Sequence, residues 1–151
     1  MLSLKVSRLG PGAGEKWRTA VDALVPPEDR SDELISVAEA EYSLADARCY
    51  LLVAEVEEEV KGLLSAFRLP DVEAGGTLVY LYDIEVAVQS RQQGIGKQMV
   101  EHLIELCGKD DVDLIWAGTD VSNLAARRTF ESTGATLEGA SYAEYEWDLE
   151  E

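Results

Sequence analysis

The chain has 151 residues, a length that suits one compact domain able to bury a core without metal or disulfide staples. Its 13 basic and 30 acidic residues give a net charge of −17, which argues against nucleic-acid binding, and no apolar run approaches the roughly 18–20 residues that cross a bilayer. Two readings of the charge stay open and are compatible: an acidic surface adapted for solubility, or an acidic cleft that attracts a cationic substrate.

Leu2 to Arg8 alternates as a strand, and Gly10-Pro11-Gly12 ends it before a helix over about Ala13 to Val25, which Pro26-Pro27 stops. The N-terminus lacks the blocks of a signal peptide, so a cytoplasmic location is expected. Ser31 reads as the N-cap of a second helix carrying Leu34, Ile35, Ala38 and Tyr42 at helical spacing. Tyr50–Val56 and Val60–Arg68 are β-rich runs joined by Glu57-Glu58-Glu59, a hairpin pattern, and Leu69–Thr77 reads as a loop. Leu78–Val88 is a long strand that leads through a glycine-bearing turn into a helix with Ile95, Met99, Leu103, Ile104 and Leu106 on its apolar face. Leu114–Ala117 is wholly apolar, as in a strand buried on both faces, and strand, helix, strand in succession implies a parallel crossover. A helix over about Asn123–Ser132 and a strand over Tyr142–Leu149 complete the order. Cys49 and Cys107 read as buried free thiols, His102 has no catalytic role, and Trp17, Trp116 and Trp147 are assigned to core or interface positions, Trp116 most firmly.

The segment Arg91-Gln92-Gln93-Gly94-Ile95-Gly96-Lys97 follows a strand and opens a helix. It therefore offers unpaired backbone N–H groups at the positive end of a helix dipole, where glycines let an anion approach the main chain. The spacing fits neither the Rossmann dinucleotide pattern nor a P-loop. By itself the turn is equally compatible with a plain tight connection. Upstream, Asp83 and Glu85 lie two apart on one strand and so share a face just before this turn. Such a pair would hold an ammonium group and take its proton, each carboxylate raising the pKa of the other. The alternative is that one or both are solvated surface acids.

The run Val86-Ala87-Val88-Gln89-Ser90-Arg91-Gln92-Gln93-Gly94-Ile95-Gly96-Lys97 resembles the acetyl-CoA signature of the GCN5-related N-acetyltransferases, the GNAT superfamily. Asn123-Leu124-Ala125-Ala126, then Phe130 and Gly134, is similar to that family's second signature. Tyr80-Leu81-Tyr82-Asp83-Ile84-Glu85-Val86 and Gly62–Pro70 look like segments of the gentamicin-type aminoglycoside 3-N-acetyltransferases. The resemblance implies an α/β (α+β) fold, with a mixed, mostly antiparallel central sheet of about six to seven strands flanked by about four helices, as a single domain over residues 1–151.

It also implies acetyl-CoA as co-substrate with no metal. The cofactor contacts would be main-chain groups of Glu85, Val86 and Val88 on a splayed strand, Arg91, Gln92, Gln93, Gly94, Ile95, Gly96 and Lys97 at the pyrophosphate, and Asn123 and Phe130. For Val86 and Val88 sheet core is a compatible reading, and for Asn123 a helix cap. Asp83 and Glu85 would be catalytic and would bind the amine together with Asp120 and Tyr145. Many relatives carry Tyr where this chain has Phe130, so the leaving thiolate would draw its proton from water or from another hydroxyl such as Tyr142 or Tyr145. The expected partner is a small cationic amine, first an aminoglycoside, and a homodimer is expected. A different small amine, a protein N-terminus, or a non-catalytic acyl-CoA sensor are the rivals.

Overall fold

The structure, a computed structural model, describes residues 3–150, which form two compact units divided between Gly118 and Thr119. The first unit is built on a five-stranded sheet, β1 (Leu4–Arg8), β2 (Cys49–Val56), β3 (Glu59–Pro70), β4 (Thr77–Val86) and β5 (Leu114–Ala117), in the spatial order β1-β2-β3-β4-β5. The first four strands pair antiparallel and β4 pairs parallel with β5, so the sheet is mixed as expected. Three helices, α1 (Gly14–Leu24), α2 (Val37–Leu44) and α3 (Ile95–Lys109), belong to the same unit, and α4 (Leu124–Ser132) belongs to the second.

The hairpin between β2 and β3 turns at Glu57 and Glu58, whose φ values of 52° and 69° fit the twist-matched two-residue connection of antiparallel strands. β2 is buried from Tyr50 to Ala54 on both faces, which accounts for its unbroken apolar run. On one face Leu51 and Val53, with Leu63 of β3, meet Trp17 and Ala20 of α1 and Ala40 and Leu44 of α2. On the other face lies α3, which buries Ile95, Met99, Val100, Leu103 and Cys107. Gly62 of β3 makes that approach possible, because a Cβ there would lie 2.8 Å from Met99 Cε and 3.1 Å from Ile95 Cγ2. Gly62→Ala should therefore lower stability by about 1–3 kcal/mol through overpacking, measurable as a fall in the urea midpoint at constant slope.

The α1 and α2 helices are joined by Glu41, whose carboxylate accepts from the backbone N–H groups of Gly12 (2.9 Å) and Gly14 (2.7 Å). Those are donors at the start of α1 that its own N-cap, Ala13, leaves without a side-chain acceptor.

Four expectations change. The second helix starts at Val37, not after Ser31. Ser36 Oγ accepts from Glu39 N at 3.1 Å in a Ser-x-x-Glu box, while Ser31 Oγ donates to the Glu33 carbonyl and stabilises a turn. β4 stops at Val86, because the Ser90 N–H closes a 3-10 turn onto the Ala87 carbonyl at 2.8 Å, so Val88 is an exposed turn residue. β5 is the last strand of the sheet, and Leu114 and Trp116 on it are exposed; apolar content alone does not tell an edge strand from a central one. Tyr142–Leu149 forms no strand and Trp147 is exposed: alternation gives two faces, but a strand exists only through a ladder partner, and these backbone groups make no ladder bonds among the described residues. The sheet accordingly has five strands, fewer than the six to seven expected. Trp17 is core, and the thiols are free, Cys107 buried and Cys49 half-buried.

Candidate active site at the end of the fourth strand

A β-bulge sets the site. Ser65 pairs with Asp83 and Ala66 with Leu81, which leaves Tyr82 as the extra residue on β4. In a regular strand Asp83 would share a face with buried Leu81, two positions earlier. The extra residue reverses the alternation, so Ile84 shares the face of Leu81, and Asp83 and Glu85 emerge on the opposite face, opposite Ser65 and Leu63. That is the face covered by α1 and α2, since Leu63 belongs to their apolar cluster. The bulge thus moves two carboxylates away from the sheet face that meets α3.

Both are half-buried, and they share a hydrogen bond. Glu85 is raised to about 7, first by burial, then by the charge of Asp83 and the hydrogen bond it shares with Asp83, and further by Asp29, with Arg91 opposing. Asp83 is also raised, chiefly by burial, although its hydrogen bonds with Glu85 and with the Ile84 backbone oppose the rise. Burial and their mutual proximity thus oppose ionisation of both carboxyls together, and Glu85 is pushed up to about 7.

A raised carboxyl in the folded state binds more protons than its unfolded counterpart between its ordinary value of 4.5 and about 7. Stability must then fall as pH rises through that window. Removing the charge with Glu85→Gln should raise the melting temperature at pH 8 by a few degrees, corresponding to about 1–3 kcal/mol, and leave it unchanged at pH 4. Thermal melts at the two pH values check this.

Beyond the pair, the chain turns through Val88–Ser90 into the glycine loop. Gln92 (φ 62°) and Gly94 (φ 80°) both occupy the left-handed region, and Gly94 is the N-cap of α3. Among the described residues no acceptor is given to the backbone N–H groups of Gln92 through Lys97, and the first intrahelical bond is Gln98 N to the Gly94 carbonyl at 3.0 Å. A Cβ placed on Gly94 would have no neighbour within 4 Å, so the loop opens outward there. Unpaired amides with an open approach, at the positive end of a 15-residue helix, suit a phosphate or pyrophosphate.

Arg91 ties the two halves together: its Nε donates to the Val86 carbonyl at 3.2 Å, and its charge acts on Glu85. Lys97 lies 3.9 Å from Glu101 on α3. β5 pairs with β4 only as far as Leu81 opposite Ala117, whereas β3 follows β4 to Val86. The β4 edge over residues 82–86 consequently has no paired strand on the β5 side among the described residues.

Two contributions were not visible in the sequence. A cleft of about 270 Å³ lies between the end of α1 with the following turn, Asp22 to Pro27, and the segment Glu85–Val88 with Arg91. Asp29, in the turn Pro27–Asp29, acts on both carboxylates. The Pro26-Pro27 pair marks a helix stop, but nothing in the spacing says that the stop abuts β4. His102 lines an open groove together with Val6, Gly94, Lys97, Gln98, Glu101 and Glu105.

Asp120, Asn123, Phe130 and Tyr145 belong to the second unit. Asn123 is the N-cap of α4, its side chain accepting from Ala126 N at 3.1 Å. Asp120 accepts from Ser122 N (2.9 Å) and Oγ (2.6 Å), contacts that hold its carboxyl below the ordinary range. Phe130 lies in α4, with its carbonyl accepting from Thr133 and Ala135, and Tyr145 is exposed. Among the described residues there is no group of three or more His, Cys, Asp or Glu placed to hold a metal ion, and no helix is long and apolar enough to cross a membrane.

The mixed sheet, the fourth strand that outruns its parallel neighbour and the glycine turn at a helix start define an acetyltransferase of the GNAT fold. The chain belongs to the acetyltransferase (GNAT) family, which matches residues 17–135, and it is an N-acetyltransferase. No curated protein matches it.

Among solved structures it is similar to an aminoglycoside acetyltransferase from an uncultured soil metagenomic sample in complex with sisomicin, at 21% identity over 97% of each chain with a TM-score of 0.86. It is also similar to the ribosomal-protein-alanine N-acetyltransferase from Brucella melitensis biovar Abortus 2308, at 17% identity over 95% of this chain and 99% of that one, with a TM-score of 0.75. A third similar structure is the aminoglycoside N-acetyltransferase AAC(6')-Iy in complex with CoA, at 15% identity over 99% of this chain and 97% of that one, with a TM-score of 0.74.

Proposed function

We propose that this acetyltransferase moves the acetyl group of acetyl-CoA onto a primary amine of an aminoglycoside by direct attack on the thioester. The observation that carries the reading is the Asp83–Glu85 pair, half-buried on one face of β4, next to a cradle of unpaired backbone amides. An ammonium group has no lone pair, so the acceptor must lose a proton before it can attack. A carboxylate poised near pH 7 beside a cationic binding position meets that need.

In this reading the amides of Gln92 to Lys97 hold the pyrophosphate. The pantetheine arm adds to the open β4 edge through main-chain groups of Glu85 and Val86, and Val88 flanks it from the turn. Arg91 fixes the loop to the strand end. The amine enters the cleft beside Glu85, where Asp29 adds negative charge for a polycation. A β4 backbone N–H stabilises the tetrahedral oxyanion, and the leaving thiolate takes its proton from solvent or a tyrosine hydroxyl, because Phe130 has none. For Asn123, Phe130, Asp120 and Tyr145 the cofactor and acceptor roles rest on the family resemblance alone, as does the reading of the chain as one domain. A homodimer in the cytoplasm is part of the same proposal.

The 3-amino position rests on the likeness of Tyr80–Val86 to the gentamicin-type enzymes, and two of the similar structures are themselves named as aminoglycoside acetyltransferases. A panel of aminoglycosides, linear polyamines, amino acids and short peptides, with products identified by mass spectrometry and the acetylated nitrogen located by NMR, tests the reading. Acetylation of the 3-amino group is expected; modification of peptides alone would replace the acceptor class.

A further inference from the structure

The bulge that turns Asp83 and Glu85 toward the α1 and α2 face leaves four aromatic rings beside them. Tyr80 pairs across the sheet with Phe67, and Asp83 with Ser65, two residues from Phe67 on the same strand, so Tyr80, Phe67, Asp83 and Glu85 share one face. Trp116 of β5 lies opposite Tyr80, and the two rings stack at 5.0 Å with an interplanar angle of 21°. Tyr82, the bulge residue, meets Tyr80 edge-on at 6.2 Å and Phe67 at 5.6 Å. Packing inside a core does not account for this group, because Tyr82 is 64% and Trp116 38% exposed. The result is a partly exposed aromatic cluster, with Tyr82 standing at 86° to Tyr80 and 63° to Phe67, on the strand segment that carries the anionic pair.

We propose that Phe67, Tyr80, Tyr82 and Trp116 form a stacking platform that selects acceptors carrying their amine on a saturated ring, an aminocyclitol or amino sugar, over linear polyamines. The proposal rests on the acceptor reading given above and deepens it. Carboxylates alone attract any polycation and discriminate poorly by shape. A saturated ring presents a face of C–H groups, which buries apolar area against an aromatic plane while its amines stay at the edge. Tyr80 is three residues from Asp83, a span of no more than about 10 Å along the strand, so one molecule can rest against the exposed ring surfaces of Tyr82 and Trp116 and place an amine at the carboxylates. A flexible chain of the same charge reaches the carboxylates but presents no such face and loses more rotational freedom on ordering.

The test is calorimetric binding of sisomicin, a ring-bearing polyamine, and of spermine, a linear one, at equal ionic strength, to the wild type and to Tyr80→Ala, Trp116→Ala and Tyr80→Phe. The platform predicts tighter binding of sisomicin by the wild type, a loss of about tenfold or more for sisomicin in each alanine variant with less than twofold change for spermine, and retention in Tyr80→Phe. Tyr82→Ala, at an exposed position, is the further variant should Tyr80→Ala not fold. Equal losses for both amines, or no preference in the wild type, overturn the platform. Thiol release from acetyl-CoA in the same samples reports separately on the acceptor reading: ring-selective binding without release would keep the platform and remove the acetylation of that amine.

Discussion

Glu85→Gln should lower kcat by about 100-fold or more with little change in the affinity for coenzyme A, because the amide removes the proton acceptor and keeps the shape. The pH profile carries more information than the rate alone. In the wild type, activity should rise with pH through about 7, as Glu85 loses its proton. That limb should disappear in Glu85→Gln. In Asp83→Asn it should move to lower pH, since the charge of Asp83 and the hydrogen bond it shares with Glu85 both raise Glu85. Kinetics across pH 5.5–9 with a saturating amine check both statements. A wild-type profile in Glu85→Gln would remove Glu85 from the mechanism. Combined with the stability change expected for the same substitution, the prediction is a variant more stable at pH 8 and far less active.

Gly94→Ala should raise the KM for acetyl-CoA about tenfold or more and leave kcat nearly unchanged. Gly94 sits at φ 80°, where an L side chain costs about 1–2 kcal/mol. No atom lies within 4 Å of the added Cβ, so the protein should fold, with the methyl at the mouth of the amide cradle. Calorimetric titration with coenzyme A separates the loss of binding from any loss of turnover. An unchanged KM would mean that the pyrophosphate lies elsewhere.

Much of this architecture was legible from residue type. Val, Tyr and Ile runs marked β2, β3 and β4, and the order of strand, glycine turn and helix located the cradle, because those features follow from local sterics and from the periods of strand and helix. Asp83 and Glu85 were legible as a pair sharing one face. Which face was not, because that depends on the bulge at Tyr82, and the bulge is defined by register against β3. The same limit hid Asp29 and the cleft, since contacts between the α1–α2 turn and the end of β4 are set by packing rather than by spacing along the chain. Leu114–Ala117 is the parallel strand its sequence predicts, but its exposure and the lack of a strand over Tyr142–Leu149 share a cause: side chains alone do not reveal an edge or a missing ladder, which are properties of neighbours. The start of the second helix differs because two serines compete as caps and only Ser36 Oγ accepts from a backbone N–H three residues on, that of Glu39.

The most direct measurement of the central claim is the initial rate of thiol release from acetyl-CoA, read with a chromogenic disulfide reagent, in the presence of a gentamicin-type aminoglycoside at pH 6, 7 and 8. The account predicts amine-dependent release that increases across this range. No release with any amine, from a protein that binds coenzyme A in the same buffer, would contradict it.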